Sequence, residues 1–149
     1  MAEKVTFLHI VSDDHTWLAH VALAVGDLDR ARRELDAAFE AARRQHLVVP
    51  LVYAHVVRAR LLRMEGKAAE HVERELAEAQ QVAGKVRAHG LVPEIHSERA
   101  VLFLRDGRVD DVRRELEHAR DLYRGMGAGP NADRLTTEIE ELAGGTASR

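Results

Sequence analysis

The chain contains no cysteine among its 149 residues. That absence removes disulfides, thiolate metal sites and cysteine nucleophiles together, and it agrees with a reducing compartment. Proline is nearly as rare, at three residues, so little interrupts a helix. No apolar run approaches the roughly 20 residues of a membrane span. Residues 5–11 are apolar but broken by His9, and no small-residue cleavage site follows them, so they do not read as a signal peptide. There is no excess of positive charge either. The net charge is −3, and nothing points to nucleic acid or to an anionic membrane surface. These absences lead us to expect a soluble cytoplasmic protein.

What is present is rich in Ala, Leu, Val, Arg and Glu. Ala, Leu, Arg and Glu are strong helix formers. Charged residues make up 32% with the signs interspersed, as on solvated helix faces. One phrase, Arg-Glu-Leu-x-x-Ala, occurs three times: Arg33-Glu34-Leu35 with Ala38, Arg74-Glu75-Leu76 with Ala79, and Arg114-Glu115-Leu116 with Ala119. The leucines are 41 and then 40 residues apart, a period that belongs to stacked supersecondary units. Leu and Ala, three apart, read as core positions, and Arg and Glu as positions on the outer side.

A second register runs beside the first. Gly26, Gly66 and Gly107 are 40 and 41 apart, Ala19, Ala59 and Ala100 lie seven residues before them, and His15, His55 and His96 eleven before. The spacing predicts helix pairs, A then B. Ser12 caps a first helix that runs to about Val25, and Asp27 opens a second to about Gln45 with the stripe Leu28, Ala31, Leu35, Ala38, Phe39 and Ala42. Pro50 opens the third, which stops at Gly66. The fourth runs from about Lys67 to His89, and Pro93 opens a fifth that stops at Gly107. The sixth covers about Val109 to Met126. Gly125, Gly127, Gly129 and Pro130 form a break, followed by a last helix over 131–142. Residues 144–149 read as a disordered tail. Residues 1–11 allow a strand or a short helix, and a lone strand would have no partner.

The paired helices, the small mid-helix residue, the Gly26-Asp27-Leu28-Asp29 turn and the alanine-rich second helix resemble the tetratricopeptide repeat, in units of about 40 residues rather than the usual roughly 34. The longer unit is similar to the repeat regions at the C-terminal end of bacterial LuxR-type ATPase activators and multidomain nucleotide cyclases. The resemblance implies an all-α fold: three antiparallel helix pairs over about 13–46, 48–89 and 91–126, stacked as a right-handed α-solenoid with a C-terminal capping helix, within a single domain over 1–143. It departs from the family in placing His15, His55 and His96 where a large aromatic residue is usual.

The resemblance also implies that the A helices line a concave groove. The stripe on the second A helix is Val49, Tyr53, Val56, Arg60 and Arg63. The matching stripes are Asp13, Thr16, His20 and Leu23 on the first, and Glu94, Ser97, Val101 and Leu104 on the third. A mixed surface of this kind suits a peptide or partner helix, and Arg60 and Arg63 suit a carboxylate or phosphate on it. The set lacks the Lys and Asn of the family's carboxylate clamp.

Nine histidines invite a metal reading. Neighbouring helix axes are about 8–10 Å apart, whereas ligands of one zinc each lie about 2 Å from it. Residues that share a register therefore spread along a stack, and His15, His55 and His96 read as packing positions or as pH-sensitive contacts. There is no His-Glu-x-x-His, and the Gly125–Gly129 run lacks the preceding strand of a dinucleotide site. Trp17 reads as core or as a contact with the N-terminal segment, ahead of a binding platform. Three functions follow, in order: a non-catalytic scaffold for a protein or peptide partner, needing no cofactor, metal or membrane; a regulatory sensor domain whose small ligand or peptide controls a transcription or signalling output; and a histidine-based metal or enzyme site. Val5, Phe7, Leu8 and Ile10, at the N-terminal end of the stack, offer a homodimer contact.

Overall fold

The computed structural model describes residues 14–86 and 89–147. Among these residues the chain is all-helical. Helix α1 covers 14–24. It is followed by α2 (Leu28–Arg44), α3 (Val49–Met64), α4 (Ala69–Val86), a 3-10 turn (His89–Leu91), α5 (Val92–Arg105), α6 (Val109–Gly125) and α7 (Gly129–Ala147). Residues 1–13, with Ser12, Asp13 and the N-terminal apolar residues, lie outside the described residues.

The stops are written in backbone geometry. After α1, the Gly26 N–H donates to the Leu23 carbonyl and the Asp27 N–H to that of Ala22. The same pair of bonds follows α3 at Gly66 and Lys67, and α5 at Gly107 and Arg108. At Gly66 φ is +74°, the left-handed conformation in which a residue without Cβ pays no steric penalty. His46 repeats the arrangement after α2 at φ +53°. Asp27 then caps α2, its carboxylate accepting from the Arg30 N–H at 3.1 Å. Pro50 and Pro93 stand in the first turns of α3 and α5, where an N–H has no intrahelical acceptor to lose.

The chain divides into two compact units, Met1–Ala88 and His89–Arg149. One expectation needs correction. The last helix opens at Gly129 and runs through Gly144 and Gly145 to Ala147, so the stretch expected to be a disordered tail is helical that far.

In the first unit α2 packs on α3 and α3 on α4. Helix α2 buries one stripe, Ala31, Leu35, Ala38, Phe39 and Ala42. Helix α3 instead buries residues around most of its circumference, among them Val52, Ala54, Val56, Val57, Ala59 and Leu61, as a helix with neighbours on several sides must. Ala19, Ala22, Leu23, Leu35, Phe39, Val57 and Leu61 belong to one apolar cluster. In the second unit α5 packs on α6 and α6 on α7. Its cluster joins Ala100, Val112, Leu116, Ala119, Tyr123, Ala132 and Leu135. Ala19, Ala59 and Ala100 are buried, as are the Leu and Ala of all three repeated phrases.

Candidate functional site

The glutamate of each repeated phrase meets the register-matched histidine of its own helix pair. Nδ1 of His15 lies 2.7 Å from Glu34 Oε2, that of His55 2.6 Å from Glu75 Oε2, and that of His96 2.5 Å from Glu115 Oε2. This corrects the expectation that the Glu faces outward beside its Arg. Arg33, Arg74 and Arg114 are exposed as expected, but the three carboxylates are only partly so. The signal was available in the sequence. Glu34 stands three residues after buried Ala31 and four before buried Ala38, on the flank of the same stripe, and Glu75 and Glu115 stand likewise between Val72 and Ala79 and between Val112 and Ala119.

The middle pair has the richest surroundings. The Arg58 guanidinium carbon sits 3.8 Å from the Phe39 ring centroid, close enough for cation–π attraction. The same group reaches Glu75 at 3.6 Å and Asp36 at 3.9 Å. The His55 ring meets Phe39 edge-on, 4.8 Å between centroids. Burial pushes the Glu75 carboxyl up, but the His55 imidazole and the Arg58 guanidinium outweigh it and hold Glu75 below the usual carboxylate range. Residues of α2, α3 and α4 are thus tied through one imidazole–carboxylate–guanidinium chain. In the second unit His96 stacks on His118 instead, 4.4 Å between centroids.

Each of the three Nδ1 atoms is engaged by a carboxylate from its own helix pair. Among the described residues no group of three or more His, Cys, Asp or Glu is placed to hold a metal ion. The pairs act chemically as polar joints between helices A and B.

The stripe expected to line a groove divides. His20 on α1 and Arg60 on α3, forty residues apart, come together, with Arg60 Nη1 2.7 Å from His20 Nδ1. Arg can only donate, so this contact requires the Nδ1 lone pair and a neutral His20. The indole of Trp17 lies 5.6 Å from the His20 ring, centroid to centroid. Tyr53 is half-buried against the core of the first unit, and Arg60 and Arg63 are partly exposed. Thr16 and Val56 are buried and offer a partner no surface. Asp13 lies outside the described residues. In the second unit Glu94 and Ser97 are partly exposed and Val101 is exposed. The Tyr123 phenol is pushed up, first by burial and then by the charge of Glu94. Trp17 is exposed, which corrects its reading as core; the N-terminal segment, its other expected contact, lies outside the described residues.

No family model matches the chain, and neither does any curated protein or solved structure. Among the described residues no helix is long and apolar enough to cross a membrane.

Proposed function

We propose that the chain is a non-catalytic scaffold that binds a protein or peptide partner on its A helices. In this reading the helix pairs are antiparallel tetratricopeptide-like units, stacked in a right-handed sense with α7 as the cap. The observation that carries it is the His20–Arg60 contact at 2.7 Å. Two residues one repeat apart, chosen from sequence as equivalent groove positions, meet on one side of the first unit.

Arg60, Arg63 and the Tyr53 phenol share the α3 stripe, so the surface offers planar cationic groups beside an amphipathic aromatic. That combination recognises a carboxylate- or phosphate-bearing segment, and aromatic and arginine side chains carry most of the energy in such contacts. The partner is therefore an acidic peptide segment, extended or helical. By resemblance, its capture would regulate an output carried by the partner or by an attached domain.

The test is affinity capture with the wild-type chain, followed by direct titration of the recovered partner. Loss of binding in Tyr53→Ala combined with Arg60→Ala, with melting temperature preserved, supports the reading. Unchanged affinity in both single variants and in the double variant removes the groove from consideration.

A further inference from the structure

Beyond Asp14, the A helices of the first unit carry fixed charge of one sign only. From His15 to Val25 there is no Asp, Glu, Lys or Arg, and the fixed charges of α3 are Arg58, Arg60 and Arg63. Of these, Arg58 turns toward Asp36 of α2 and Glu75 of α4, while Arg60 turns toward α1 and meets His20. Helix α5 is different, with Glu94 and Glu98 set against Arg99 and Arg105.

An apolar stripe lies beside this cationic group. Trp17, Val21, Ala24 and Val25 fall at i, i+4, i+7 and i+8 on α1, and all four are exposed, Trp17 at 58%. Water-facing helix stripes are ordinarily charged, as in α2, which exposes Asp29, Arg30, Arg33 and Glu40. An outward apolar stripe with an indole in it marks an interaction surface. One residue joins the stripe to the cation. The His20 ring stands 5.6 Å from the indole, centroid to centroid, and its Nδ1 lies 2.7 Å from Arg60 Nη1. A neutral imidazole thus spaces an indole from a guanidinium, and the one fixed charge of the three is positive.

We propose that this row receives an amphipathic helix of a protein partner, with its apolar stripe on Trp17 and Val21 and its carboxylates on the flank toward Arg60. The partner is the acidic segment proposed above, on which reading this one rests, with two properties added: it is helical, and it inserts an apolar side chain beside each carboxylate. Charge selects the occupant. Neither residues 15–25 of a second copy nor residues 5–12 of the chain contain a carboxylate, so neither offers Arg60 an anion. The helical form follows from the stripe, whose members recur at helical spacing along α1. A helix laid beside them meets them with anchors at i, i+3 or i+4, and i+7. An acidic residue three or four positions from such an anchor stands on the adjoining flank, about 5–6 Å away at Cβ.

Trp17 is the sole tryptophan, so its emission reports on the apolar part of this site alone. The experiment selects binders from a displayed library of helical peptides without tryptophan, then titrates the best of them, as a synthetic peptide, against the chain. We expect selected peptides to carry aliphatic residues at i, i+4 and i+7 flanked by Asp or Glu, and the bound peptide to shift the emission to the blue. By calorimetry, Trp17→Ser weakens binding roughly tenfold and keeps the preference for the acidic peptide over its Gln-substituted form. Arg60→Gln weakens binding about as much and loses that preference. Melting temperature, followed in parallel, stays level in Trp17→Ser because the indole is exposed. Acidic peptides whose affinity depends on Tyr53 and Arg60 but is untouched by Trp17→Ser and Val21→Ser overturn this proposal and leave the acidic-segment reading standing. Selection of neutral or basic peptides, or of none, overturns both. Emission that is already blue-shifted in the free chain means that the chain covers Trp17 itself, and overturns the proposal as well.

Discussion

Nδ1 of His55 lies 2.6 Å from Oε2 of Glu75, twenty residues further along the chain. The bond crosses from α3 to α4, and both groups are largely screened from water, at 15% and 20% side-chain exposure. A hydrogen bond that involves a charged group contributes about 1.5–3 kcal/mol, and removing one partner also strands the other.

Glu75→Ala is therefore expected to cost about 2 kcal/mol. At this chain length each kcal/mol corresponds to roughly 2–4 °C in Tm. His55→Ala should cost a similar amount. Because the two groups touch, the double variant should lose about 1 kcal/mol less than the sum of the single losses. Urea unfolding of the three variants gives this coupling, and strict additivity would mean that the pair does not interact in solution.

The same pair sets an acid dependence. Glu75 is held below the usual carboxylate range in the folded chain. Its stabilising effect is complete above the unfolded-state value and is lost as pH falls through the lower folded-state value. Wild type should therefore lose stability more steeply than Glu75→Gln as pH is lowered from about 5 toward 3, around the ordinary glutamate pKa. Between pH 5 and 7 the difference in stability between the two should stay level as far as this carboxyl is concerned. Parallel urea midpoints throughout the acid range would remove Glu75 as a source of acid sensitivity.

Turn positions give a prediction of opposite signs. Gly66 has φ +74° with open space where a Cβ would stand. The cost of Gly66→Ala is therefore conformational, roughly 1–2 kcal/mol. His46, which also adopts positive φ, should show the reverse, and His46→Gly should stabilise by up to about 1 kcal/mol. Gly84→Ala serves as the control. It lies within α4 with open space around it, so Ala should stabilise by roughly 0.5–1 kcal/mol through helix propensity. Thermal melts that rank Gly84→Ala below wild type would contradict this account.

Much of the fold was legible because two signals overlapped. The stripe from Leu28 to Ala42 and the recurring glycines each marked helices, and six starts fall within about two residues of expectation. The end of α7 differs from expectation because residues 144–149 read as a tail, yet Gly144 and Gly145 continue the helix and neither shows the positive φ that follows α1, α2, α3, α5 and α6. The core reading of Trp17 fails for a different reason. Large apolar residues are usually inside, and a helical wheel does not show that Trp17 stands on an open side of α1 while the equivalent Val57 of α3 is buried. The His–Glu pairs lay between these cases. Both registers were visible, but their meeting depends on which flank of helix B turns toward helix A, and this is a tertiary fact. The His20–Arg60 contact was foreshadowed only as equivalence of position.

The turn between α3 and α4 holds four residues, Glu65 to Ala68, where the turns after α1 and α5 hold three. The His–Glu separation along the chain is correspondingly 20 in that unit and 19 in the other two. The ring-to-carboxylate distance nevertheless stays between 2.5 and 2.7 Å in all three. Helix docking, and not the tether, thus sets where imidazole and carboxylate meet. The connecting turn is a place where length has already drifted without cost to the joint. An evolving gene can insert or delete codons there, and an engineer can splice a tag or a sensor peptide beside Lys67, while the helices on either side keep their partners.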